Sequence, residues 1–286
     1  MADVAREVGV SMMTVSRVVN DKGDVSAETR QRVLAAIDRL GYRPSGIARG
    51  LATRRTGTLG LVVPDVANPF FAEIARGVEH VAYAEGYNVF LCNTDEDPER
   101  ELDVLGSLEE KRVDGIVLCS SRLETADLQL VVASHPAVAL VNRRLNGGGD
   151  QVRTVLVDDV LGGRLATDHL LQRGHRSVGF LSGPEGSRSG HGRRAGYRAT
   201  LSKYGVAPDP DWVQHCAPVA EAGRQEALVL LKRHPELSAL LCYNDLVAVG
   251  VLRAASELGR VVPDDLAVVG FDDIPLAALV SPSLTT

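Results

Sequence analysis

The residues Ala2-Asp3-Val4-Ala5-Arg6-Glu7-Val8-Gly9-Val10-Ser11-Met12-Met13-Thr14-Val15-Ser16-Arg17-Val18-Val19-Asn20 read as two short helices joined at Gly9. Val4, Ala5 and Val8 give the first an apolar stripe; Val15, Val18 and Val19 give one to the second, which Ser11 can cap. Glycine between them permits a sharp turn. Two helices joined this tightly form a helix-turn-helix, the unit that sets its second helix into the DNA major groove. Met12, Met13, Thr14, Ser16 and Arg17 are then left facing outward, and with Ser11 and Asn20 at the two ends they are the candidate DNA contacts. Arg17 suits guanine O6 and N7, Thr14 and Ser16 suit phosphates or base edges, and the methionines suit thymine methyls.

A purely structural helical hairpin carries the same stripes, so local charge is the discriminator. Residues 1 to 56 hold ten Arg and Lys against six acids, a net of +4, whereas the whole chain is −6 and the remainder therefore −10. A basic head on an acidic body is the distribution expected if the head alone meets a polyanion.

A chain of 286 residues with 45% apolar content accommodates one small domain and a large two-lobed one. No apolar run reaches membrane-spanning length and no basic-then-apolar leader precedes the pattern, so no membrane partner and no secretion signal are expected. Cys92, Cys119, Cys216 and Cys242 are widely spaced, and three of them end or adjoin apolar runs and read as buried thiols of strands, which argues against a disulfide framework or metal site.

Beyond Asn20, Ser26 can cap a third helix with Val33, Leu34, Ile37 and Leu40 as its stripe and Gly41 as its stop. Residues 43 to 57 form a linker with four arginines, Arg49 among them, and few apolar groups. It reads either as a solvated tether or as a segment that orders against phosphates, with Ile47, Ala48, Leu51 and Ala52 on one face. From Thr58 onward, apolar strands alternate with amphipathic helices. Strands are predicted near 59–63, 88–92, 115–118 and 138–141, then a second set near 155–157, 178–181, 240–242 and 267–269. This is an α/β pattern of parallel sheets in two lobes, divided near 143–151.

In such lobes ligands bind beyond the carboxyl ends of the strands. On that ground the candidates are Asp65, Asn68, Phe70, Phe71, Asn93, Ser120, Asn142 and Arg143 in the first lobe and Asp158, Asp159, Arg193, Asn244, Asp245, Asp272 and Asp273 in the second, with Phe70, Phe71, Asn142, Arg193, Asn244 and Asp272 taken as the ligand set. Carboxylates, amides, an arginine and a phenyl face suit a sugar or a nucleobase. Asn68-Pro69 serves equally as a helix cap, and so does Asp158. There is no GxSxG, no phosphate loop and no clustered histidine set, so no catalytic residue, metal ligand or cofactor is expected.

Taken together these residues resemble the lactose repressor/galactose repressor family of bacterial transcription regulators. The resemblance rests on residues 3–11 and 14–20, Leu-Gly-Tyr-Arg-Pro at 40–44, Val-Pro-Asp-Val-Ala-Asn-Pro-Phe-Phe at 63–71, Arg-Arg-Ala-Gly-Tyr at 193–197, Tyr-Asn-Asp-Leu at 243–246 and Val-Gly-Phe-Asp-Asp at 269–273. It implies an all-α helix-turn-helix head at 1–44, a hinge at 45–57 and a periplasmic-binding-protein-like core at 58–286. The core would comprise an N-lobe near 58–143, a C-lobe near 151–273 and a crossover from 274. By the same likeness the protein would be a cytoplasmic, nucleoid-associated repressor, a homodimer or tetramer on a palindromic operator, controlled by a small-molecule effector. Met12 and Met13 would read the major groove, Leu51 would wedge into the minor groove, and Phe70 or Phe71, Arg193 and Asp272 would hold the effector. The departures are Ser45 for the usual Asn, Asn142-Arg143 for Asp-Arg, and Asp159 where Asn is common. The chain also stops at Thr286, before the segment that returns across the lobes in the family, so a fragment or an incomplete gene model is expected. The alternative is a sugar-binding protein without a DNA-binding function; a carbohydrate-active enzyme using Asp158 and Asp272 ranks below both.

Overall fold

The computed structural model describes residues 1–43, 55–145 and 151–286. The chain divides into two compact units, Met1–Gly57 and Thr58–Thr286. No described helix is long and apolar enough to cross a membrane.

In the first unit, α1 spans Ala2–Val8 and ends at Gly9 with φ 70°, a left-handed position that glycine adopts without strain. Helix α2 spans Met12–Val19, and the Ser11 side chain caps it by accepting from the Thr14 N–H. Helix α3 spans Ala27–Arg39, capped by Ser26 in the same way. Val4, Ala5, Val8, Val15, Val18, Val33 and Ala36 form the small core. Leu34 and Leu40, expected on the buried stripe of α3, are exposed instead. The stripe runs through Val33, Ala36 and Ile37, whose spacing of three and four keeps one face toward α1 and α2 and turns Leu34 away.

The second unit contains two parallel sheets. The first holds β1 (Thr58–Val63), β2 (Asn88–Asn93), β3 (Gly115–Cys119), β4 (Val138–Val141) and β5 (Val152–Val155) in the order β2-β1-β3-β4-β5. Its helices are α4 (Pro69–Ala84), α5 (Pro98–Glu110) and α6 (Thr125–Ser134). The second sheet holds β6 (Val178–Leu181), β7 (Val213–Gln214), β8 (Ala239–Cys242) and β9 (Ala267–Val269) in the order β7-β6-β8-β9. Helices α7 (Asp159–Gln172), α8 (Arg188–Lys203), α9 (Ala220–Arg233), α10 (Asp245–Glu257) and α11 (Leu276–Leu279) belong to the second half. Strands β6 and β8 are buried at every position, as strands covered on both faces must be. Thr285 makes a parallel bridge to Val269 at the edge of β9.

One strand differs from the sequence reading. The run Val155–Val157 was expected to open the second lobe, but the strand is β5, and it pairs with β4 in the first sheet (Val138 with Val152, Val141 with Val155). The outermost strand tolerates Arg153 and Thr154 because it is largely exposed, and Leu156 and Val157 beyond it are exposed too. Hydrophobic runs locate interior strands and misplace edge strands for this reason. The short β7 and α11 also carry too little periodic pattern to be read from sequence.

Candidate functional site

Each lobe presents strand ends to one cleft, lined by Asn68, Phe70, Phe71, Ser120 and Asn142 from the first and by Arg193, Tyr243, Asn244 and Asp272 from the second. The six residues taken as the ligand set line it together, whereas Asp65, Asn93, Arg143, Asp158, Asp159, Asp245 and Asp273 are not among its lining residues. Positive φ at Ser120 (48°), Asn142 (55°) and Asp272 (109°) marks the sharp exits from the strands that turn these side chains out of the sheet plane. Asn68 caps α4 by accepting from the Phe70 N–H at 3.0 Å, with Pro69 at the first helical position, so it is both a cap and a wall of the cleft. Phe71 is buried in the lobe while Phe70, edge-on to it at 5.1 Å, is half-buried. Asn142 accepts from the Val157 N–H at 3.3 Å, which leaves its amide NH2 as the part with capacity for a ligand.

Arg193 organises the second wall. Its Nε donates to Asp159 Oδ1 at 2.9 Å, Nη1 donates to the Tyr243 carbonyl, and Nη2 stands 3.8 Å from Asp272 Oδ1, an ionic contact too long for a hydrogen bond. The guanidinium lies over the Phe271 ring at 3.5 Å and faces Tyr243 at 4.8 Å. Asn244 has both ends of its amide engaged, accepting from the Val247 N–H and donating to the Pro218 carbonyl, so it shapes the cleft as the cap of α10. Asp158 caps α7 through the Leu161 N–H at 2.9 Å and is not among the cleft residues. Residues missed by the sequence reading are Phe271, Tyr243, Glu96 and Arg122. Arg122 binds Glu96 at 2.5 Å, and the Tyr243 hydroxyl meets Ser187 Oγ at 3.0 Å.

Between the cleft-lining residues the space is about 20 Å³, room for roughly one water, and it adjoins a wider opening lined by Asp65, Asp95, Pro184 and His215, with which it shares Glu96 and Pro218. Burial pushes the Asp272 carboxyl up to about 7, opposed by Arg193 and reinforced by Asp245 and Asp159. A carboxyl raised above its unfolded value stabilises the fold fully below that unfolded value, near 4, and the contribution is lost as pH rises through about 7. Stability of the ligand-free protein should therefore fall between pH about 4 and about 7, at no more than about 1.4 kcal/mol per unit from this group. Urea unfolding across that range should show a shallower decline for Asp272→Asn; an unchanged decline would remove Asp272 as its source.

In the head, Ser11, Met12, Met13, Arg17 and Asn20 are exposed, and Thr14 and Ser16 are half-buried. Arg30 and Arg32 are turned inward on the module itself, Arg30 to Asp21 at 2.6 Å and Arg32 to the Val8 carbonyl at 2.7 Å. Arg49 and Leu51 lie outside the described residues, as do Ser45 and the glycine run 147–149.

Residues 1–45 match the family model for bacterial regulatory proteins of the lacI family, and residues 56–283 match that for periplasmic binding proteins and the sugar binding domain of the LacI family. The ribose operon repressor of Halalkalibacterium halodurans is 40% identical over 284 residues, which cover 99% of this chain and 83% of the relative. Among solved structures, a lac repressor dimer bound to operator and the anti-inducer ONPF superposes with a TM-score of 0.84 at 28% identity, covering 99% of this chain and 84% of that one. A complex of the transcriptional regulator CelR with cellobiose superposes at 0.72 with 33% identity, covering 98% and 85%. With both halves matched in order, the chain belongs to the LacI family of bacterial DNA-binding transcription regulators.

Proposed function

We propose that this regulator is a repressor that binds a palindromic operator as a homodimer and changes its grip when a sugar closes the cleft. In this reading residues 1–44 contact the duplex, 45–57 act as a hinge through Arg49 and Leu51, and 58–286 bind effector and partner. One observation carries the effector half: Phe70, Phe71, Asn142, Arg193, Asn244 and Asp272, spread over two sheets, line a single cleft. Its amide, carboxylate and guanidinium groups match the alternating donors and acceptors of a polyol, and the Phe70 ring matches an apolar sugar face. The relatives named for ribose and cellobiose support a sugar ahead of a nucleobase. A carbohydrate-cleaving role is disfavoured, since Asp158 is a helix cap and Asp272 is held against Arg193.

The partner surface is supported by apolar groups left exposed along the outer edge of the first lobe, Tyr83 at 78% and Val81 at 62% on α4, with Phe90 and Leu91 on the edge strand β2. Binding to an operator supports a cytoplasmic, nucleoid-associated location in the bacterial cell. Because Arg17 is exposed on α2 and suited to one guanine, Arg17→Ala should lower discrimination between operator and scrambled duplex by about 1 to 3 kcal/mol. Fluorescence titration at fixed salt measures this; equal losses on both duplexes would make Arg17 a phosphate contact only.

A further inference from the structure

The outward face of α2 is apolar in its first turn, at Met12 and Met13, and polar beyond it. Met12 is 56% exposed and Met13 68%, while Val15 and Val18 already supply the buried stripe of the helix, so neither methionine is needed to close the module. The polar side chains of the same helix are largely engaged with each other. Ser11 Oγ accepts from the Thr14 N–H at 3.1 Å and meets Thr14 Oγ1 at 2.9 Å. Asn20 donates to the Ser16 carbonyl at 2.8 Å and to Ser16 Oγ at 3.3 Å. Hydroxyls held in this way still suit phosphates but are poorly placed to choose among base edges.

We propose that the head selects its operator chiefly through thymine methyl groups met by Met12 and Met13, with Arg17 adding a single guanine contact. This rests on the operator-binding reading given above. The C5-methyl of thymine is the one apolar group a base presents in the major groove, so an apolar side chain there distinguishes thymine from the other bases. An unbranched, polarisable thioether adapts to that uneven surface, and two in succession at the start of the helix cover neighbouring base steps. A cytosine placed against them would bury its N4 donor without a partner, which adds a penalty to the lost contact. The surplus of four positive charges on residues 1 to 56 supplies attraction to the backbone but no sequence preference.

The test starts from duplexes selected out of a random pool by the full chain at fixed, moderate salt. In the best of them each thymine is replaced in turn by deoxyuridine, which removes the methyl and nothing else. Affinity should fall about fourfold at one or two positions in each half-site. Met12→Ala and Met13→Ala, both at exposed positions, should abolish that penalty at their own position while leaving the melting temperature unchanged. A selected duplex that binds equally well with all its thymines replaced would overturn the proposal, as would alanine variants that keep the full penalty. Failure to select any duplex is a different result: it would overturn the operator reading itself.

Discussion

Arg193→Ala is expected to abolish effector binding and to destabilise the core by about 3 kcal/mol, the cost of leaving the Asp159 carboxylate without its cation and the Tyr243 carbonyl without its donor. The Asp159 and Asp272 side chains are only 15% and 7% exposed, so water cannot replace the guanidinium they share. The Tyr243 carbonyl loses its donor, and the Phe271 ring loses the flat group stacked on it. Arg193→Lys should restore part of the stability and little of the binding, because an ammonium keeps the charge without the planar fork. Urea unfolding gives the stability and calorimetry with a sugar drawn from a thermal-shift screen gives the binding. Wild-type affinity in the alanine variant would show that Arg193 supports the wall without touching the ligand.

Gly196→Ala should be nearly as damaging from outside the cleft. Its Cβ would fall on the Val160 carbonyl oxygen and the Arg164 backbone nitrogen, and neither backbone atom can swing aside as a side chain would. The same crossing of α7 and α8 sets Gly163 against the Arg193 backbone, and a Cβ on Gly192 would lie 2.7 Å from the Asp159 Cβ. Closely packed glycines are thus what bring Asp159 and Arg193 to 2.9 Å. Forcing the helices apart should cost about 3 kcal/mol and weaken effector binding together with it. Gly106→Ala is the contrast: it lies within α5 with open space where a Cβ would be, and it should raise stability by about 0.5 to 1 kcal/mol. Equal effects from the two substitutions, read by denaturant midpoints, would refute the close-packing argument.

Much of the molecule was legible wherever a residue's role is local. Ser11 and Ser26 cap the helices they precede, Gly9 takes the left-handed turn, and the interior strands β1, β3, β6 and β8 follow their apolar runs. Arg193, Asp272 and Asn142 are legible as cleft-lining residues because side chains beyond the carboxyl ends of parallel strands gather there, a rule of topology that needs no coordinates. What escaped depends on partners far along the chain. Tyr243 and Phe271 look like ordinary core aromatics until the guanidinium of Arg193 is seen between them. Glu96 and Arg122 sit in separate loops, and their 2.5 Å contact has no spacing that a sequence could reveal. An edge strand carries no buried alternation, so β5 reads as part of the other lobe, and Leu34 reads as inward although it lies off the line through Val33, Ala36 and Ile37.

The proposed function requires that occupation of the cleft and grip on the duplex be linked by one conformational equilibrium. The decisive measurement is the affinity of the full chain for a selected duplex, by fluorescence anisotropy at constant salt, with and without a sugar shown by calorimetry to bind the core. A change of about fivefold or more in either direction is predicted, corresponding to about 1 kcal/mol of coupling. Superimposable isotherms in the presence of a saturating, cleft-bound sugar would contradict it.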